Sequence, residues 1–167
     1  MVLNRIRSMI EPLSATLGTT LGKAGVPPDA LTVLGFASAL VAGVLYGIMP
    51  AQPFIAAIFI VLSGIMDVLD GAVARATGKV SRRGSFGDST LDRLAEIAIF
   101  AGIIYGGYGL PALIVLLALA FSLLVSYTRA KADSLNVSIS GIGIGERAER
   151  LIVLIVFSVA GIVWAGI

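Results

Sequence analysis

The chain contains no cysteine and no histidine, and only 13% of its 167 residues are Asp, Glu, Lys or Arg. Without cysteine there is no disulfide framework. Without either residue the usual zinc ligands are missing. The shortage of charge accompanies 57% hydrophobic residues and a mean hydropathy of +1.01. A soluble domain of this length cannot hide that much apolar surface, whereas one integral membrane domain need not. The net charge is only +2. Basic residues sit at the ends of apolar spans and form no nucleic-acid recognition motif, so membrane lipid is the expected surrounding and nucleic acid is not a partner.

Long apolar runs stand where charge is scarce. A membrane-spanning helix needs roughly 20 mostly apolar residues. Runs of that kind cover 30–48, 54–76, 84–105 and 110–132, and a fifth follows the charged stretch 146–150 and reaches Ile167. Ahead of them, Leu3, Ile6, Ile10, Leu13, Leu17 and Leu21 recur at helical spacing, with Arg5, Arg7, Glu11 and Ser14 on the remainder. Such a helix lies in the membrane interface or, on the plainer alternative, packs on the bundle as a soluble helix would. Glu11 and Pro12 interrupt any apolar core, which excludes a signal peptide. Gly25-Val26-Pro27-Pro28 ends this helix, and Asp29 is the expected N-cap of the next. The architecture predicted is an all-α integral membrane protein. Residues 1–25 form an interfacial helix and residues 26–167 a bundle of five spans.

Eleven of the twelve Lys and Arg lie in or next to the N-terminal segment, the 77–83 turn and the 129–150 region, Arg93 standing ten residues beyond the turn, while 46–52 and 105–111 carry no charge. The positive-inside rule places the first set on the cytoplasmic face of the cell membrane.

Residues 67–92 read DVLDGAVARATGKVSRRGSFGDSTLD, with Asp67/Asp70 and Asp88/Asp92 three and four residues apart. That spacing aims each pair from one helix face, and two adjacent antiparallel helices can bring all four together. Four carboxylates repel one another unless a cation joins them. Hard oxygen ligands point to magnesium, manganese or calcium. The opposing explanation pairs the aspartates with Arg75, Arg82, Arg83 and Arg93, and it does not account for their register with Gly71 and Gly84. Both glycines allow close approach of a backbone or a ligand.

A second constellation is cationic. Arg129 and Lys131 close the fourth apolar run, and Arg147 and Arg150 open the fifth on one helical face. Such a cluster can grip a phosphate, or it can serve as positive-inside anchoring with local pairs to Glu146 and Glu149.

The pattern Asp67-x2-Asp70-Gly71-x2-Ala74-Arg75-x8-Gly84-x3-Asp88-x3-Asp92 resembles the signature of the CDP-alcohol phosphotransferase family, with every position present at its spacing. The resemblance implies a six-helix membrane enzyme, and hence a sixth helix beyond Ile167 unless this is a five-span variant. It also implies a homodimer, one or two Mg2+ or Mn2+ ions, a CDP-lipid substrate and release of CMP. Asp67, Asp70 and Asp88 would hold metal. Asp92 would sit near the attacking hydroxyl as general base, as a metal ligand, or as both. Gly71, Ala74, Arg75 and Gly84, with Asp67, Asp70 and Asp88, would shape the nucleotide site. Thr32 matches a position that contacts the nucleotide, against the simpler reading that its hydroxyl bonds back to its own helix.

Residues 126–133 and 145–150 are similar to segments of the subgroup that uses inositol 1-phosphate, the phosphatidylinositol-phosphate and archaetidylinositol-phosphate synthases. Arg129 and Lys131 stand in exchanged order relative to that subgroup. On this resemblance Ser126, Arg129, Lys131, Arg147 and Arg150 would hold the acceptor phosphate. Glycerol 3-phosphate, serine or another inositol phosphate are the alternative acceptors.

A cation transporter would need polar residues through the whole membrane depth, and the outer halves of these runs are almost wholly apolar. Nor is the aspartate motif repeated in inverted order. Gly141-Ile142-Gly143-Ile144-Gly145 follows no strand and opens no βαβ unit, so it fails as a dinucleotide loop and reads as a connection at the membrane surface.

Overall fold

The computed structural model describes residues 2–137 and 147–165, with side chains outside the description at 2–10 and 162–165. The described residues form α1 (Val2–Lys23), α2 (Pro28–Ile48), α3 (Pro53–Thr77), α4 (Arg82–Gly106), α5 (Ala112–Ser134) and α6 (Arg147–Ala165). Each apolar run of the sequence becomes one helix. The glycine-rich segment 141–145, Glu146 and anything beyond Ile167 lie outside the described residues.

The helices end where local chemistry stops them. At the end of α1, Gly25 N donates to Gly22 O and Val26 N to Leu21 O, with Gly25 at φ +80°. At the end of α3, Gly78 N donates to Arg75 O and Lys79 N to Ala74 O, with Gly78 at φ +68°. Both are Schellman caps, in which glycine takes the left-handed position without a Cβ penalty. The N-cap expectation for Asp29 needs correction. Pro28 already opens α2, so Asp29 lies in its first turn. Pro is suited to that position because its missing N–H would be unsatisfied anyway, and Asp there complements the helix dipole.

The chain divides into two units, Met1–Ser38 with Leu62–Asp92, and Ala39–Val61 with Arg93–Ile167. In the first, α1 docks on α3 through Gly18 and Gly22. A Cβ on Gly18 would stand 2.7 Å from the Ala72 carbonyl, and one on Gly22 2.6 Å from Thr77 Cγ2. This small-xxx-small face lets the helices touch closely. Ser14, on the same side, is buried, while Leu13 and Leu17 are exposed. In the second unit, α2 crosses α4 at Gly43, whose Cβ would meet Ala98 O at 2.5 Å, and at Gly102, whose Cβ would collide with the Gly43 carbonyl. Tyr46 of α2 hydrogen-bonds Ser158 of α6, and Tyr108 Oη donates to Tyr46 O at 3.0 Å.

Half of the buried apolar residues described are alanine (Ala39, Ala42, Ala56, Ala57, Ala72 and Ala95); the others are Leu31, Tyr46, Val115 and the most deeply buried large side chains, Ile60, Ile99 and Val73. Large side chains such as Val44, Ile58, Leu113, Leu117, Phe121 and Phe157 are exposed. In water this distribution would be an aggregation surface; in lipid it is the expected arrangement. Among the described residues α2, α3 and α5 are long and apolar enough to cross a membrane. Helix α4 has the length, but Arg82, Arg83, Asp88, Asp92, Arg93 and Glu96 fall within its first fifteen residues.

Candidate functional site

In the first unit the last turns of α3 and the first turns of α4 bring three carboxylates together. One oxygen each from Asp67, Asp70 and Asp88 lies within 4.8 Å of the others. Helical spacing puts Asp67 and Asp70 on one face of α3, and the tight 78–81 connection returns the chain so that Asp88 faces them. Asp92, one turn further along α4, is not one of the three.

Asp70 is buried, and Thr32 Oγ1 donates to its Oδ2 at 2.7 Å. The same hydroxyl reaches Pro28 O only at 3.3 Å. The carboxylate is therefore the closer partner of Thr32, and the back-bonded reading describes the weaker of its two contacts. Thr32 fixes the orientation of Asp70 from across the helix pair.

A cavity of about 300 Å³ opens beside the carboxylates. Its wall comprises Pro28, Asp29 and Thr32 from the start of α2, and Asp70, Gly71, Ala74 and Arg75 from the end of α3. Lys79, Val80 and Ser81 contribute from the turn, and Gly84, Ser85 and Asp88 from the start of α4. Every nucleotide-site residue expected from the sequence lines this cavity except Asp67, which belongs to the carboxylate group. Arg75 lies over Gly71, its Nη1 being 3.1 Å from where a Gly71 Cβ would stand. Ser81 Oγ accepts from Gly84 N at 3.0 Å, capping α4 and fixing the glycine at the cavity wall. Sequence reasoning missed Asp29, Lys79, Ser81 and Ser85. The Ser-x-x-Gly spacing at the helix start was the available signal for Ser81.

The donor set fits a divalent cation. Three hard oxygen donors converge over a span comparable to that across the coordination shell of such an ion, about 4–5 Å for ligands at about 2.1–2.5 Å.

The second unit holds a separate polar cluster. Glu96 of α4 is buried; its Oε2 accepts from Ser122 Oγ at 2.9 Å, and its Oε1 accepts from Arg150 Nη2 at 2.6 Å. The same Nη2 donates to Ser126 Oγ at 3.2 Å. Of the expected acceptor residues, Ser126 and Arg150 thus meet directly. Arg129 and Arg147 are half-buried and Lys131 is exposed. Lys131 follows Ser126 by five residues on α5, which turns it to the other side of the helix, whereas Arg129 at three residues shares Ser126's face. A partner of Arg150 is Glu96, 54 residues away. Glu96 carried no signal in the sequence beyond being an acid within an apolar run.

An all-helical membrane protein with a carboxylate cluster beside a nucleotide-sized cavity is the class that this fold and site define. The chain belongs to the CDP-alcohol phosphatidyltransferase family, whose model matches residues 26–166. It is 37% identical over 166 residues to the archaetidylinositol phosphate synthase of Pyrococcus horikoshii, covering 99% of this chain and 87% of that protein. Two crystal structures of Mycobacterium tuberculosis phosphatidylinositol phosphate synthase share the fold. The one with CDP-DAG bound has a TM-score of 0.69 at 25% identity, covering 92% of this chain and 90% of the other. The one in complex with manganese and citrate has a TM-score of 0.71 at 26% identity, covering 91% and 81%.

Proposed function

We propose that this protein transfers a phosphatidyl-type group, diacylglycerol or archaeol phosphate, from a CDP-lipid to inositol 1-phosphate and releases CMP. The observation that carries this reading is the convergence of Asp67, Asp70 and Asp88 beside a cavity walled by the family's Gly71, Ala74, Arg75 and Gly84. The relatives named as inositol phosphate synthases support the choice of acceptor.

Asp67, Asp70 and Asp88 would hold one or two divalent ions, magnesium or manganese, and Asp92 would serve as a further ligand, as the base, or as both. An ion held there would supply positive charge to offset that of the pyrophosphate and of the leaving group. Arg75 and Lys79 offer cationic donors to phosphate oxygens at the cavity wall, and Gly71 and Gly84 leave room for the nucleotide. An acceptor hydroxyl attacks the phosphorus that carries the lipid. The new P–O bond forms as the bond to the bridging oxygen breaks, and CMP leaves with the electron pair. Asp92 takes the hydroxyl proton. Arg129, Arg147 and Arg150, with Ser126, grip the acceptor's own phosphate.

The same reading makes residues 1–25 an interfacial helix and residues 26–167 a multi-pass domain of the cell membrane with its site on the cytoplasmic side. It includes assembly as a homodimer. Gly43 and Gly102 pack within the chain, so the dimer uses other faces.

The test is CMP release from CDP-lipid in detergent with magnesium, with inositol 1-phosphate, glycerol 3-phosphate and serine offered separately. Release with inositol 1-phosphate that EDTA abolishes is the expected result. Release with another acceptor alone would discard the acceptor assignment.

A further inference from the structure

The mechanism above gives Glu96 no part, yet Glu96 is one of the most deeply buried charged groups described. It is 4% exposed and sits in a network that joins three helices. Ser122 Oγ donates to Glu96 Oε2 at 2.9 Å, Arg150 Nη2 donates to Glu96 Oε1 at 2.6 Å and to Ser126 Oγ at 3.2 Å, and Ser126 Oγ donates to Ser122 O at 3.2 Å. A buried ion pair is a weak device for stability, because desolvation consumes most of the Coulombic gain and an apolar substitute often does as well. What such a pair does supply is direction. A guanidinium whose Nη2 is held at once by a carboxylate and a hydroxyl has lost much of the freedom of a long side chain before any ligand arrives. Arg150 shares a helical face with Arg147 on α6, and Ser126 shares one with Arg129 on α5. The contacts through Glu96 therefore fix the two cation-bearing faces of α5 and α6.

We propose that Glu96 is a positioning residue for the acceptor. With Ser122 behind it, Glu96 pre-orients Arg150 to receive the acceptor's phosphate and makes no contact with the CDP-lipid. This rests on the functional reading given above. Removing the charge while keeping the shape leaves Arg150 present but unaimed. The loss then falls on acceptor binding and spares the nucleotide.

Steady-state kinetics of Glu96→Gln in detergent, varying inositol 1-phosphate and CDP-lipid in turn, separate this from a structural role. The apparent KM for inositol 1-phosphate rises about tenfold or more, as for truncation of one partner of a buried charge pair, and the KM for CDP-lipid stays within about twofold. Ser122→Ala, which removes only the hydroxyl behind Glu96, moves the acceptor KM in the same direction by a smaller factor and stands in should the first variant not fold. Acceptor KM values at the wild-type level in the folded variants, or equal changes in both KM values, would overturn the assignment alone. A wild-type protein that releases no CMP with inositol 1-phosphate would overturn the functional reading and this inference with it.

Discussion

At the scale of single residues, the site depends on a carboxylate that is buried and aimed. Asp70 is 7% exposed and is held by Thr32 at 2.7 Å. Asp70→Asn keeps the volume and removes the charge, so turnover falls about a hundredfold or more while circular dichroism and gel filtration in detergent remain those of the wild type. Substantial turnover by the folded variant would remove Asp70 from the ion's shell. Thr32→Val deletes only the hydroxyl that orients Asp70. Groups that orient metal ligands typically matter by about 10- to 100-fold, so Mn2+ affinity, read by the electron paramagnetic resonance of the free ion, falls by about tenfold. Unchanged affinity would leave Thr32 with a role toward the nucleotide alone.

The meeting of Asp67, Asp70 and Asp88 was legible in the sequence because helical period is a local property, whereas the expected fourth member, Asp92, is not in that group. The Glu96–Arg150 pair was not legible. Its members lie 54 residues apart, and no local pattern reports which helices become neighbours. Thr32 fell between these cases. Its position was visible, but its bond to Asp70 crosses 38 residues.

At the scale of helices, close packing rests on glycine rather than on large core side chains. Gly18→Val puts a branched side chain on a backbone carbonyl of α3 that cannot yield cheaply. Overpacking of this kind costs about 1–3 kcal/mol, which appears as a lower midpoint in thermal unfolding in detergent. Gly87→Ala is the matched control. Gly87 is in α4 with nothing within 4 Å of its would-be Cβ, so alanine there is neutral or mildly stabilising. Equal loss in both variants would mean that glycine content, rather than the α1–α3 contact, sets stability. Helix positions followed from the apolar runs to within a few residues, since length and the Pro and Gly breaks fix them. The helix-start chemistry at Pro28 and Ser81 was harder to read, because both lie among other turn-forming residues. The Gly18-x-x-x-Gly22 spacing was readable but stood inside a helix whose leucines drew attention to the opposite face. Those leucines, Leu13 and Leu17, are the exposed ones.

At the scale of the whole molecule, a small-residue interior and a surface of Leu, Val, Ile and Phe make the protein a solute of lipid rather than of water. Orientation follows from where the Lys and Arg lie. Because the chain has no cysteine, single substitutions read it cleanly. In intact cells a membrane-impermeant maleimide labels Gln52→Cys, between α2 and α3, and labels Lys79→Cys, between α3 and α4, only after the membrane is opened. The reverse pattern would put the carboxylate site on the outer face and end the cytoplasmic reading.

The proposed reaction is one displacement at phosphorus, in which the lipid-bearing phosphate passes to a hydroxyl of inositol 1-phosphate. The most direct measurement is the mass of the lipid product, with CMP counted in the same reaction. Such a transfer gives one CMP per product, a product mass equal to CDP-lipid plus inositol phosphate less CMP, and no product in EDTA. CMP accompanied by phosphatidic or archaetidic acid, or a product formed unabated in EDTA, would contradict it.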